Sequence, residues 1–440
     1  MHIPFEKLCA QSSQNGLKQL RRKPVTAKKL HLAKALSVMS IFAFASNSWA
    51  EQSITLQTAI AKSLQQHPDL NVYSYQAKAA QGAIIQASVG SPVTLNVQVD
   101  DVLGSGEYRD FSAMQTSISI AWLLEEERLN AKVKYVSEQA KVSELKKQEK
   151  ALDVAANTAQ LFITLLAQKE QLKLASLALK QAQDAFVQVD KKVTAGKSHV
   201  VDKLRAKASV AKKQLMVEDL NHEIEASRAR LAAQWQGSSD FTALGSLADI
   251  PSISSVDKAY QTLKQHPKFR QLASEQRISE SAIALAKVNA EPAWKFSAGM
   301  KHDQLNDDVA ITAGIAIPFG SEGRNQGQII ELQAKQNASQ AEVEAWQQQV
   351  ATEILLISHQ LKHNRHVIEG LGKEIIPALE SANASAEDAY QVGRYNYSDW
   401  YNVQQELTVA QFELIDAYSN VHQLNIELER LTGNAYSPIN

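Results

Sequence analysis

Between Glu125 and Ala195 the chain contains neither glycine nor proline. Ala, Leu, Lys, Gln, Glu and Val dominate this stretch, and all but Val are good helix formers. Helical throughout, at about 1.5 Å per residue, it would reach on the order of 100 Å. That is far beyond an ordinary globular helix. Leu161, Leu165, Leu172 and Leu174 stand among polar neighbours, a spacing that suits coiled-coil packing. A second run without Gly or Pro spans Lys197 to Gln236. A long helical hairpin turning near Gly196 is therefore expected.

The hairpin occurs twice, because the chain is duplicated. "QQHPDLNVYSYQAKAAQGAIIQAS" begins at Gln65 and "KQHPKFRQLASEQRISESAIALAK" at Lys264. Further pairs keep nearly the same offset: Pro92 with Pro292, Arg128 with Arg324, Gly196 with Gly393, Asp202 with Asp399, and Gly237 with Gly433. Such self-similarity marks two structural units. The first is expected over 51–237 and the second over 256–434, with a linker at 238–255 and a tail at 435–440. The second long helix, Gln328 to Gln391, contains Gly370, Gly372 and Pro377. A kink or break is expected near Ile375 to Pro377.

Each unit also carries two segments of period two, near 93–100 and 113–123, then 294–301 and 308–317. Val93, Leu95, Val97 and Val99 alternate with Thr94, Asn96, Gln98 and Asp100, and the other three alternate likewise. Their length and pattern fit transmembrane β-strands. A soluble antiparallel sheet with one wet face gives the same pattern. In a bilayer four strands cannot stand alone, since open edges leave backbone groups unpaired. Two chains would close an eight-stranded barrel and three a twelve-stranded one. Trp122, Trp294 and Tyr108 suit membrane interfaces.

The N-terminus reads as a secretory signal over 1–50. Arg21, Arg22, Lys23, Lys28, Lys29 and Lys34 precede an apolar run from Ala35 to Ala45, then Ser48-Trp49-Ala50. Without it the chain holds 38 basic and 46 acidic residues, a net charge of about −8. That balance gives nucleic acid no basic surface. The one cysteine, Cys9, lies in the leader, which leaves the mature chain without disulfide, thiolate or Cys nucleophile.

Taken together, the duplicated order of helix, two strands and long hairpin resembles the TolC-like outer-membrane efflux family, over about residues 54 to 434. Gly196/Asp202 and Gly393/Asp399 repeat the same spacing at each hairpin turn, and the units end in "ARLAAQWQG" and "ELERLTG". "IPFGSEGRNQGQI" resembles the signature of the heavy-metal, CzcC-like branch, with Gly320-Ser321-Glu322-Gly323 replacing a shorter link. The resemblance implies a mainly α fold with four transmembrane strands per chain. It implies a homotrimer with a twelve-stranded outer-membrane β-barrel set in lipid and an α-helical barrel in the periplasm. The partners implied are a periplasmic adaptor and an inner-membrane pump of the resistance-nodulation-division class. The chain would be a passive exit duct for divalent heavy-metal cations, without cofactor. A drug or protein (type I secretion) duct is the alternative cargo reading. A soluble periplasmic coiled-coil scaffold is the alternative class.

Candidate site residues cluster at the turns near 190–202 and 390–399. Gly196-Lys197-Ser198 is no phosphate loop, because Lys191 stands where the first Gly is needed and a helix precedes it. Gly196 and Gly393 suit left-handed helix ends. Asp202 and Asp399 suit the positive ends of the returning helices. In the family, an Asp of the first turn meets a Tyr and an Arg of the second to close the aperture. Asp202, Tyr390 and Asp399 match in place; Arg394 lies one residue before the family Arg position, now Tyr395, and a further family Asp is Asn402. His359, His363 and His366 share a helix face as candidate metal ligands; a solvated polar face gives the same spacing. No His-Glu-x-x-His or Gly-x-Ser-x-Gly occurs, so no enzyme is expected.

Overall fold

The computed structural model describes residues 52–251, 256–320 and 323–433. The expected leader at 1–50 and tail at 435–440 lie outside the described residues. Each unit opens with a short element and two helices. In the first, β1 (Gln52–Thr55) leads into α1 (Leu56–Gln66) and α2 (Pro68–Ala87). His67 ends α1 and caps α2: its Nδ1 accepts from the Asp69 amide at 3.2 Å, and Pro68 takes the first helical position. The second unit repeats the device. After α5 (Val256–Thr262), the Nδ1 of His266 accepts from the Lys268 amide at 3.1 Å to start α6 (Pro267–Ala290).

The strands β2 (Thr94–Asp100) and β3 (Gln115–Leu124) of the first unit join β5 (Trp294–Asp303) and β6 (Asp308–Ala316) of the second. They form one antiparallel sheet in the order β2-β3-β5-β6. β3 and β5 form the seam between units, from Gln115 opposite Asp303 to Leu124 opposite Trp294. Among the described residues the outer edges of β2 and β6 have no neighbour in this sheet.

Helix α3 (Glu126–Thr194) is unbroken for 69 residues, about 100 Å at helical rise. It returns as α4 (Val200–Ala233). Ala175, Ala178, Ala182, Ala185 and Val189 are buried along α3. Their alternate spacing of three and four gives a heptad seam, and its alanines allow close approach. The segment expected as a plain linker contributes β4 (Phe241–Leu244), which pairs in parallel with β1. Four residues are too few for the alternation to stand out in sequence. Phe162, Ile163, Leu165, Leu231 and Phe241 make a fully buried core beside this small sheet. Burying each of these large side chains contributes about 1.5–3 kcal/mol.

In the second unit, α7 (Gln326–Gly370) does not break at Pro377. It passes through one π turn, Leu371–Ile375, into α8 (Ile376–Gln391). Gly370, Ile375 and Ile376 keep right-handed helical angles, and the Ile376 amide donates to Leu371 five residues back. A proline ring collides with the carbonyl four residues earlier; the wider turn makes room for it. Helix α9 (Tyr397–Thr432) then returns and ends at Gly433, with φ 69°.

Candidate functional site

Two regions are the candidate functional sites, the four-stranded sheet and the hairpin tips. The sheet register sorts side chains by face. Leu95, Ile120, Ala298 and Ala313 form one row, and Val97, Ile118, Met300 and Ile311 the next. Trp122, Phe296 and Ile315 continue it towards the helices, with the Trp122 and Phe296 rings stacked at 6.0 Å. Over these rows the face is apolar and open to the surroundings, with Ile311 89% exposed; the row at the loops, Val99, Thr116, His302 and Val309, is mixed. The opposite face holds Asn96, Ser119, Gly299 and Thr312 in one row and Thr94, Ala121, Ser297 and Gly314 in another. A contiguous apolar face of this extent is not left in water by a monomeric protein.

At the tips the two turns share one geometry. Gly196 has φ +70° and Gly393 +83°, a left-handed conformation that a side chain would strain. The amide after each glycine reaches back five residues, Lys197 to the Lys192 carbonyl at 2.7 Å and Arg394 to the Ala389 carbonyl at 2.8 Å. That is the Schellman helix end. The caps of the returning helices are His199, whose Nδ1 accepts from Val201 at 3.2 Å, and Asn396, whose Oδ1 accepts from Asp399 at 2.9 Å. Asp202 and Asp399 therefore sit in the first turns, as third helical residues, and do not themselves begin the helices.

The tips of the two hairpins touch. Ala185, Val189 and Ala206 of the first pack with Ala386, Tyr390, Tyr397 and Trp400 of the second. Tyr390 stacks on Trp400 at 5.2 Å and meets Tyr397 edge-on at 6.4 Å. Lys192 donates to the Tyr390 carbonyl, and to that of Gln391 at 3.3 Å. This places a cation on the negative end of α8. The Tyr390 hydroxyl is buried, and Ser198 is the side chain that acts on it by hydrogen bonding. Burial raises its pKa, and the Asp202 charge adds to the effect. Burial also pushes Tyr397 up to about 12. Asp202 accepts from the Ser198 hydroxyl at 2.7 Å. Arg205 donates to Ser398 at 3.1 Å.

The structure thus brings Asp202 and Tyr390 near each other, while Arg394 and Asp399 are exposed. Lys192, Tyr397 and Trp400 also belong to this contact and do not stand out in the sequence. A lysine in a last helical turn and aromatics at positions 397, 400 and 401 were the available signals. His359, His363 and His366 are exposed on α7. Among the described residues no group of three or more His, Cys, Asp or Glu is placed to hold a metal ion.

Comparison with known proteins matches this architecture. The family model described as "Outer membrane efflux protein" matches residues 59–235 and 259–434. The cobalt-zinc-cadmium resistance protein CzcC of Cupriavidus metallidurans is 23% identical over 383 residues, covering 86% of this chain and 90% of that protein. A membrane protein from Pseudomonas aeruginosa superposes with a TM-score of 0.73 at 15% identity, over 87% of this chain and 90% of the other. CusC, whose structures describe transmembrane channel formation, gives 0.70 at 16% identity over 92% and 99% of the two chains. VceC, an outer membrane protein of Vibrio cholerae, gives 0.70 at 18% identity over 87% and 97%. With both repeats matched and the same fold in solved channels, the chain belongs to the outer membrane efflux protein family.

Proposed function

We propose that three copies of this outer-membrane efflux channel close their sheets into one twelve-stranded barrel, and that the assembled duct exports divalent heavy-metal cations. The observation that carries the barrel is the sheet itself. It has one largely apolar face and, among the described residues, two unpaired edges, β2 and β6. In hydrocarbon those edges must pair, and further copies of the chain supply the partners. The repeats 51–237 and 256–434 would each supply half of the sheet and one long hairpin. The hairpins line a tunnel across the periplasm. Val200, Leu204, Val392 and Tyr395 are exposed at its tips, where a periplasmic adaptor would dock. An inner-membrane pump of the resistance-nodulation-division class would supply the energy.

The metal cargo is supported by similarity to a cobalt-zinc-cadmium resistance protein over most of both chains. A deletion strain is expected to lose tolerance of zinc, cobalt or cadmium while keeping its drug tolerance. Loss of drug tolerance alone would replace this cargo with the drug-export reading. We assign the closing role at the tip to Asp202, Tyr390 and Lys192, with Gly196 and Gly393 shaping the turns. Arg394 and Asp399, both exposed, are free to meet neighbouring copies.

A further inference from the structure

The polar face of the sheet is nearly free of charge, and its exceptions fall in register. The row nearest the hairpin loops reads Asp100, Gln115, Asp303, Asp308. The next row on the same face reads Gln98, Ser117, Lys301, Ala310. Rows of Asn, Ser, Thr, Gly and Ala follow. The last, beside the helices, sets Lys295 opposite Leu123 and Ala316. Below the acidic row, then, Lys295 and Lys301 are the only charged side chains on this face among the described residues. They stand about 20 Å apart along β5 at six residues' rise. Neither takes part in an ion pair among the described residues.

We propose that Lys295 and Lys301 are charge-selecting residues of the barrel, forming two cationic rings that favour anions over bare cations in that section of the duct. The inference rests on the trimeric barrel reading, which turns the polar face inward and multiplies each lysine by three. Rings of Lys or Arg are how pores favour anions. A low-dielectric wall focuses such a field into the lumen. The nearest carboxylates, Asp303 and Asp308, occupy the row above Lys301 at the mouth, so the rings are not neutralised along most of the barrel. A divalent cation passing outward would cross them together with the anions they hold.

The test is ion selectivity of the full-length channel in a planar bilayer, with potassium chloride at different concentrations on the two sides. Replacing both lysines, Lys295→Ala with Lys301→Ala, is expected to lower the chloride-to-potassium permeability ratio by roughly twofold or more. Lys301→Arg should keep the wild-type ratio and Lys301→Glu should lower it further. The difference should be larger near 0.1 M salt, where screening acts over about 10 Å, than near 1 M, where it acts over about 3 Å. A conducting double variant with the wild-type ratio would overturn the assignment of the lysines alone. A wild-type protein that forms no channel would overturn the barrel reading beneath it.

Discussion

The ammonium of Lys192 lies 4.0 Å from the centre of the Tyr390 ring. Lys192 closes the first long helix and Tyr390 the last turn of its counterpart, so one side chain ties the two hairpins together at their tips. The contact combines a cation over an aromatic face, worth about 0.5–2 kcal/mol, with a cation on carbonyls at a helix end, worth about 0.3–1 kcal/mol. Lys192→Met keeps the length of the side chain and removes both. It should increase single-channel conductance or open probability relative to Lys180→Met, an exposed lysine farther up α3.

Asp202 stands beside the buried Tyr390 hydroxyl and accepts from Ser198. If it helps to hold the tip shut, Asp202→Ala should raise antibiotic leakage and bilayer conductance beyond any change made by an exposed alanine substitution such as Asp219→Ala. Equal behaviour of the two variants would reduce Asp202 to ordinary first-turn electrostatics.

Much of this molecule can be read from residue order, and the reasons are physical. Long helices and two-period strands leave regular signals, so the α3 run and the alternation around Val97 and Ile118 point to their elements directly. The duplicated Gln-His-Pro marks helix starts because proline at the first position and an acceptor just before it are local requirements. Contacts between units are another matter. Nothing near Lys192 in sequence announces that it meets Tyr390, 198 residues away. The sequence points to a kink or break near Ile375 to Pro377, because it registers the lost amide of Pro377 but not the wider turn, Leu371–Ile375, that accommodates it. The caps His199 and Asn396 stand three residues before the acids, whose charge is the plainer signal in sequence.

Gly299 marks the tightest point of the seam between repeats. A Cβ there would lie 2.6 Å from Ser119 Cβ and against the Ile118 carbonyl. Gly299→Val should therefore separate β3 from β5, at about 1–3 kcal/mol for overpacking. The expected readout is a lower yield of assembled, protease-resistant protein in outer-membrane fractions. Gly327→Val is the comparison, since nothing lies within 4 Å of a Cβ built at Gly327.

Two buried histidines predict an acid-sensitive middle section. His266 Nε2 bonds the Arg430 carbonyl at 3.1 Å while its Nδ1 serves as a cap, and His422 Nε2 bonds the Leu247 carbonyl at 2.9 Å. Asp153, Arg430 and Lys268 act on the first by charge, and Asp249 on the second. Burial lowers both pKa values below the ordinary 6.5. The unfolded chain thus binds more protons than the folded one below about pH 6.5. Stability is fully present above that value and is lost as pH falls through it, by at most about 1.4 kcal/mol per pH unit for each histidine. Thermal unfolding followed by circular dichroism in detergent should show a lower midpoint at pH 5 than at pH 7.5. His266→Asn, which retains a cap acceptor, should reduce that difference.

We propose closure of the open sheet of one chain by two others in the outer membrane. Its most direct test is the mass of the complex extracted by mild detergent from purified outer membranes. A single species of three chains, absent from the soluble periplasmic fraction, is expected. A monomer recovered from that soluble fraction without detergent would contradict it.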